Sequence, residues 1–349
     1  MKIRLFALAA MACVLLNALG FAADGKRKPV VKPQVSRLIS LLPASDAVAV
    51  FDAKRFLTEA LPKLLSANQP MLKEITGGLT DMESRTGIDL RKFDQVAVGL
   101  TVKTLGENDF NFGHVLIASG DINAGALLSV AKLASGGKYR EEKIGNTSVY
   151  VFTVKDAVQT ATTNNSKVVS VIDKSVKELS TEIAVTTLDR NTLAIGTLDR
   201  VRETVEAKTH LGTDLTNLLS TKETAVMSFA AKMPAGMSKM LSLDNDELGA
   251  NIDAIQYMSG SMDVAPVGTS LQMMARTAKP DQALVLKDTL EALQLVGKAV
   301  LGSSKKPNNA IYGRMVRNAK FDVRGTDVTF ELLVPQADID TLVAAIKSK

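Results

Sequence analysis

One cysteine, Cys13, is all this chain has, and it lies inside an uncharged apolar run from Leu5 to Phe21. No disulfide can close within such a chain, so its fold must be held by the burial of apolar side chains. Lys2 and Arg4 precede the run, and Gly20-Phe21-Ala22 ends it before Asp24-Gly25-Lys26. A basic start, an apolar middle and small residues at the −3 and −1 positions are the layout of a secretory signal peptide. The run also falls short of the roughly 20 apolar residues of a spanning helix. Residues 1–22 therefore read as a signal peptide, and the chain is expected to be exported, periplasmic or extracellular, with Ala23 as its first mature residue. Lipid attachment at Cys13 is not expected, because Ala10 stands where such a motif places Leu and Val14-Leu15-Leu16 continues the apolar run.

Residues 23–349 are enough for two domains of moderate size. With 46% hydrophobic and 23% charged residues, wholesale disorder is excluded. Aromatic residues make up only 4% and tryptophan is absent. That argues against the exposed aromatic platforms on which sugars and single-stranded nucleic acids stack. The net charge of +5 falls by two when Lys2 and Arg4 leave. So small an excess points to no nucleic-acid partner.

Residues 23–38 read as a basic, proline-containing linker: Lys26, Arg27, Lys28, Lys32 and Arg37 alternate with Pro29 and Pro33. Lys26, Arg27 and Lys28 are suited to weak contact with anionic lipid head groups. Beyond it, Ala47 to Phe51 reads as a strand, Lys54 to Leu65 and Met71 to Thr86 as helices, and Val96 to Val102 and Gly113 to Ser119 as strands. Asp121 is the expected N-cap of a helix carrying Leu127, Val130, Ala131 and Ala134. A hairpin turned at Gly145-Asn146 follows, then a second over Ile183 to Thr197 and a helix from Asp199 to Ala207. The segment from Asp156 to Lys167 has loop composition.

The same order returns in the C-terminal part. Ala225 to Phe229 reads as a strand, Pro234 to Leu241 as a helix, and Ile252 to Val264 and Thr269 to Thr277 as a strand pair. A long helix opens at Pro280 with Leu286, Leu290, Leu293 and Val300 on one stripe. Strands at Ala310 to Val323 and Val328 to Val334 and a last helix from Pro335 complete the chain. The expectation is an α+β protein of two tandem β-α-β-β-α-β halves, ferredoxin-like split βαβ units with mostly antiparallel sheets, arising by internal duplication. The domains are placed at 39–222 and 223–349.

Four stretches carry a resemblance. Leu42-Pro43-Ala44-Ser45-Asp46-Ala47, Gly87-Ile88-Asp89-Leu90, Val96-Ala97-Val98-Gly99, and Leu193-Ala194-Ile195-Gly196-Thr197 before Val201-Arg202 resemble uncharacterised exported bacterial proteins classed as a domain of unknown function. The resemblance spans about residues 42–202 and brings no catalytic or binding residues with it.

Few residues offer chemistry. His114 and His210 are nearly a hundred residues apart and have no cysteine beside them, which argues against a transition-metal site or a Cys-His nucleophile. Ser129-Val130-Ala131-Lys132 and Ser303-Ser304-Lys305-Lys306 match the S-x-x-K spacing of serine acyl-enzymes, but no K-T-G element accompanies them. Asp244-Asn245-Asp246-Glu247 starts like a calcium loop, yet Leu248 and Ile255 stand where oxygen ligands belong.

The unusual feature is a group of methionines: Met227, Met233, Met237, Met240, Met258, Met262, Met273 and Met274. Met233, Met237 and Met240 fall on one helical face, the spacing of a soft thioether site for Cu(I). Met227, Met258, Met262 and Met273 are suited to lining an apolar cavity for a lipid-like ligand, since Met repacks readily. Ordinary core filling is the plainest reading of all eight. Taken together, the sequence predicts an exported, non-catalytic protein of the bacterial envelope that binds an envelope protein or a hydrophobic ligand and carries no cofactor. The alternatives are a carrier with a Met-lined cavity, a Cu(I)-binding protein, and a hydrolase working through carboxylates.

Overall fold

Alternation of apolar and small or polar residues sets the strands, and the chain divides into two compact units that each carry an antiparallel sheet. The computed structural model describes residues 37–106, 109–153, 182–219, 222, 224–234, 247–302, 307–344 and 346. The signal peptide, Lys26, Arg27, Lys28 and the loop from Asp156 to Lys167 lie outside the described residues. The linker expected to run to residue 38 gives way by Arg37, which opens a helix with Leu38 and Ile39 buried.

The first unit takes in residues 37–58 and 70–213. Its elements are α1 (Arg37–Leu41), β1 (Ala47–Asp52), α2 (Ala53–Arg55), α4 (Gln69–Thr86), β2 (Phe93–Gly106), β3 (Asp109–Gly120), α5 (Ala124–Ala134), β4 (Tyr139–Ile144), β5 (Thr147–Thr153), β6 (Glu182–Asp189), β7 (Thr192–Gly196) and α6 (Leu198–Glu206). A π-helical turn, Phe56–Ala60, leads from α2 into α3 (Leu61–Leu64). The strands run in the order β1-β2-β3-β7-β6-β5-β4, every neighbour antiparallel. On one face Val48, Ala97, Val115, Ile117, Ala194, Ala184 and Val151 form a buried layer with α1 and with Val201 of α6. Each fully buried Val or Ile of that layer contributes about 1.5–3 kcal/mol. Toward the other face Ile122, Ala124 and Leu193 cluster with Phe93 and Leu127, which seats α5. Its N-cap is Asn123, whose side chain accepts from Ala126 N, rather than the expected Asp121. The long helix α4 buries none of its residues and stops at Gly87, whose φ of +70° suits a residue without Cβ.

The second unit holds residues 59–69 and everything described from 214 onward. Beyond α3 and the short α7 (Thr213–Thr216), its elements are β8 (Ala225–Lys232), α8 (Glu247–Asp253), β9 (Ile255–Ala265), β10 (Gly268–Thr277), α9 (Pro280–Gly302), α10 (Pro307–Asn318), β11 (Lys320–Arg324), β12 (Asp327–Pro335) and α11 (Gln336–Ala344). The sheet order is β8-β9-β10-β12-β11, again antiparallel throughout.

Both units are therefore α+β, the helix expected over Pro234 to Leu241 lying outside the described residues beyond Pro234, but the pairing is not that of a split βαβ. There the helix joins parallel strands; here β1 and β2 are direct antiparallel neighbours, with Val48 opposite Gly99, and β8 and β9 likewise. A helical connection can return the chain in either direction, so element order leaves strand direction open. Other expectations shift as well. Ala310 to Val323, read as one strand, is α10 followed by β11: Pro307 fits the first helical turn, and Ile311 and Met315 recur four residues apart. Ile252 belongs to α8 rather than to a strand. Residues 59–69 join the second unit, and the units part at residue 213 rather than 222.

Candidate interaction surface

Strand register places the methionines. Met227 lies opposite Met262, Met262 opposite Leu271, Met258 opposite Ala231 and Ala275, and Met273 opposite Gly260 and Phe330. Opposed residues share a face. Met227, Met258, Met262 and Met273 thus lie on one side of the second sheet, together with Phe229 and Phe330. Met262 is buried and the others are half-buried. Met274 falls on the opposite side, where Gln272 donates to Glu331 at 3.4 Å and Arg276 makes a two-bond pair with Asp327 at 2.6 and 2.8 Å. On β10 and β12 that opposite side is largely polar, whereas on β8 it carries buried Val226 and Ala230.

The long helix α9 packs on the apolar side. Ala283 and Leu286 bury with Val328, and Leu290, Ala275, Ile255 and Val323 surround them. Gln294 continues this inward line: its Nε2 donates to Val316 O and Ala319 O, both at 2.7 Å, tying α9 to the end of α10. Gly297 follows, where a Cβ would come within 3.2 Å of Val316 Cγ1. The inward stripe is thus Ala283, Leu286, Leu290, Gln294 and Gly297, not the expected Leu286, Leu290, Leu293 and Val300.

Leu293 and Val300 point outward instead. With exposures of 49% for Leu293, 68% for Leu295, 60% for Val296 and 64% for Val300, the last three turns of α9 carry an apolar outer face, to which Ala292 and Ala299 belong. Tyr312 of α10 is exposed as well. The first half of α9 differs, with Asp281, Asp288 and Glu291 at its surface and Lys287 paired to Glu291 at 2.7 Å. Sequence reasoning missed this face, although one signal was present: from Ala292 to Leu301 apolar residues outnumber what one stripe can hold.

The other candidates do not assemble into a site. Met233 sits just past β8, its N–H donating to Gln256 O at 2.8 Å, and Met237 and Met240 lie outside the described residues. Among the described residues, no group of three or more His, Cys, Asp or Glu side chains is placed to hold a metal. Asp244, Asn245, Asp246 and the Ser303–Lys306 stretch also lie outside them. Ser129 Oγ donates to Gly125 O at 2.9 Å within α5. Lys132 Nζ sits 3.3 Å from the centroid of the Tyr150 ring, a cation–π contact rather than a base poised on a serine. His114 is half-buried on β3, and burial lowers its proton affinity; its Nδ1 finds no partner among the described residues. His210 is exposed in the loop after α6.

The stretches Leu42 to Ala47, Gly87 to Leu90, Val96 to Gly99 and Leu193 to Arg202 all lie in the first unit. Arg200, 4% exposed at the start of α6, donates from Nη2 to Ala44 O and to Ser45 Oγ, both at 2.7 Å, and pairs with Glu203 through Nη1. Ser45 Oγ donates in turn to Pro43 O at 2.8 Å, and Asp46 Oδ2 accepts from Val102 N at 2.9 Å. This is a structural lock at the entrance to β1. Burial lowers the proton affinity of the Arg200 guanidinium, while Glu203 and Asp46 act against that.

No protein-family model matches the chain, and no curated protein matches it. Among solved structures it is similar to crystal form III of TP0453, with 10% identity over 91% of this chain and 100% of that one and a TM-score of 0.43. Crystal form I of the same protein gives 10% identity over 92% of this chain and 100% of that one, with a TM-score of 0.41.

Proposed function

We propose that this is an exported, non-catalytic interaction protein of the bacterial envelope, and that it acts through the apolar outer face of α9. The observation that carries this reading is the grouping of Leu293, Leu295, Val296 and Val300 in the open on successive turns of one helix. Single exposed apolar residues are ordinary, whereas a contiguous patch marks an interaction site. Export rests on the signal-peptide layout of residues 1–22, and the resemblance to exported bacterial proteins of a domain of unknown function belongs to the same reading. The repeated order of elements in the two units supports an internal duplication.

A second reading is favoured by the shared face of Met227, Met258, Met262 and Met273. Buried Met262 and the three half-buried thioethers, beside Phe229 and Phe330, form a deformable apolar layer suited to a lipid-like ligand carried by the second unit.

The test joins N-terminal sequencing of the protein recovered from its own cells with an environment-sensitive apolar dye. The mature chain should begin at Ala23, and the dye should bind. The double variant Leu295→Glu/Val296→Glu should lose that binding while unfolding in urea with the wild-type midpoint. Retention of Met1 would overturn export. Dye binding that survives the double variant moves the surface away from α9, and a fresh loss on Met258→Glu would favour the carrier.

A further inference from the structure

We infer that the outer face of α9 is where two copies of this chain meet, their helices lying antiparallel across a two-fold axis at Val296. The inference rests on the interaction reading above and names the partner. Three and four positions from Val296, in either direction, stand Leu293, Ala292, Ala299 and Val300. Residues at these spacings share one face of a helix, and all five are exposed. An antiparallel copy turned about Val296 sets Val296 against itself, Ala292 level with Val300 and Leu293 level with Ala299. Away from the axis each large side chain then meets a small one. The face therefore fits a copy of itself, as a two-fold contact requires. Leu295 flanks the two alanines and widens the apolar face.

Charge selects the direction. Asp288 and Glu291 lie at the surface just before the apolar face. In a parallel pair each would stand beside its own counterpart, and like charges oppose that. In the antiparallel pair the two Glu291 side chains are about 15 Å apart along the axis, beyond the screening length of roughly 8 Å. Between Ala292 and Val300 the one charged residue is Lys298, and it is turned away from the face: its Nζ donates to Gln294 Oε1 at 3.1 Å.

Other occupants fit less well. A helix that lies on a membrane surface carries Lys or Arg at the rim of its apolar face. Here Lys298 is bonded to the inward Gln294, Lys287 to Glu291, and Arg314 of α10 to Asp338. A small apolar ligand is held in a concavity, whereas this face is the convex outside of a helix. Side chains exposed to this degree present several hundred Å² a copy, so two copies approach the roughly 1,000 Å² at which specific interfaces begin. Such a dimer should dissociate at micromolar concentrations. The presenting helix is already fixed, since Gln294 ties it to Val316 and Ala319.

The experiment is sedimentation equilibrium of the full chain over about 1–200 µM, joined to single-cysteine crosslinking in a Cys13→Ser background. A monomer–dimer equilibrium in the micromolar range is expected, and salt should leave it unchanged because no ion pair holds it. Val296→Glu brings two carboxylates together on the axis and should weaken the dimer by about tenfold or more, with the urea midpoint unchanged. Val296→Cys should form an interchain disulfide on mild oxidation. Val285→Cys, equally at the surface, should not, because the antiparallel pair holds it about 33 Å along the axis from its counterpart. A chain that stays monomeric throughout, a dimer that survives Val296→Glu, or crosslinking through Val285→Cys overturns the inference. Dye binding separates it from the broader reading. If the chain is monomeric while Leu295→Glu/Val296→Glu still loses the dye, the surface stands and its partner is another molecule. If neither self-association nor dye binding depends on α9, both fall.

Discussion

After β7 the first unit enters α6, and after β12 the second enters α11, so the two helices hold the same place in their sheets. The third residue of each is charged and nearly buried: Arg200 at 4% exposure and Asp338 at 8%. The charges have opposite sign. An acid in the first turn is favoured by the helix dipole, and Asp338 also meets Arg314 of α10, with Nε to Oδ2 at 3.2 Å. A cation there is disfavoured, and Arg200 is retained by bonds to Ala44 and Ser45 in the chain leading to β1. The far ends differ too. Helix α6 closes itself, with Ala207 left-handed at φ 50° and its N–H donating to Glu203 O at 3.0 Å. At the end of α11, Asn68 Nδ2 donates to Val343 O at 3.0 Å and to Ile346 O at 2.9 Å, from a segment far away in sequence. The far end of the helix is thus closed by its own residues in one unit and by a residue distant in sequence in the other.

Removing the buried cation should give the largest effect. Arg200→Ala strips the bonds to Ala44 and Ser45 and is expected to cost about 3 kcal/mol in urea unfolding, against about 1 kcal/mol for Asp338→Ala. Equal costs would break the contrast, because they would mean that both charges are held in the same way.

Asn68→Ala comes next, at about 1–2 kcal/mol, since it leaves two helix-end carbonyls without their buried donor. Hydrogen exchange should rise in α11 and stay unchanged in α6. A rise in both would show that the borrowed cap also supports the first unit.

The smallest effect concerns acid and belongs to the first unit alone. Burial puts the proton affinity of His114 below its ordinary value of 6.5. As pH falls through 6.5 the unfolded chain takes up the proton first, so stability declines toward the folded value and changes no further below it. Unfolding midpoints measured from pH 7 downward should show that decline in the native protein and lose it in His114→Gln. A decline that persists in the variant would assign it to other groups.

Much of the fold is legible before any coordinates. The hairpin turned at Gly145-Asn146 is present as read, Gly145 having φ +59°, and α4 ends at Gly87. The common face of Met227, Met258, Met262 and Met273 follows from alternation once register is known. The candidate surface was not legible. An apolar stripe marks the buried side of a helix only where apolar residues occupy that side. In α9 the inward line passes through Gln294, needed by the open carbonyls of α10, and Gly297, needed for close approach to Val316. Leu293 and Val300, which look like core, were displaced outward.

What the sequence determines by itself is local or compositional: no internal disulfide, the α+β alternation and most element boundaries. Three things were decided only in three dimensions: the antiparallel return of β2 on β1, the allegiance of residues 59–69 to the second unit, and the side of α9 left uncovered. Periodicity reports which residues within one element share a face. Burial depends on which other surface arrives opposite that face, and hydrogen-bond demands from distant carbonyls, such as those of Val316 and Val343, select the residue that must meet them.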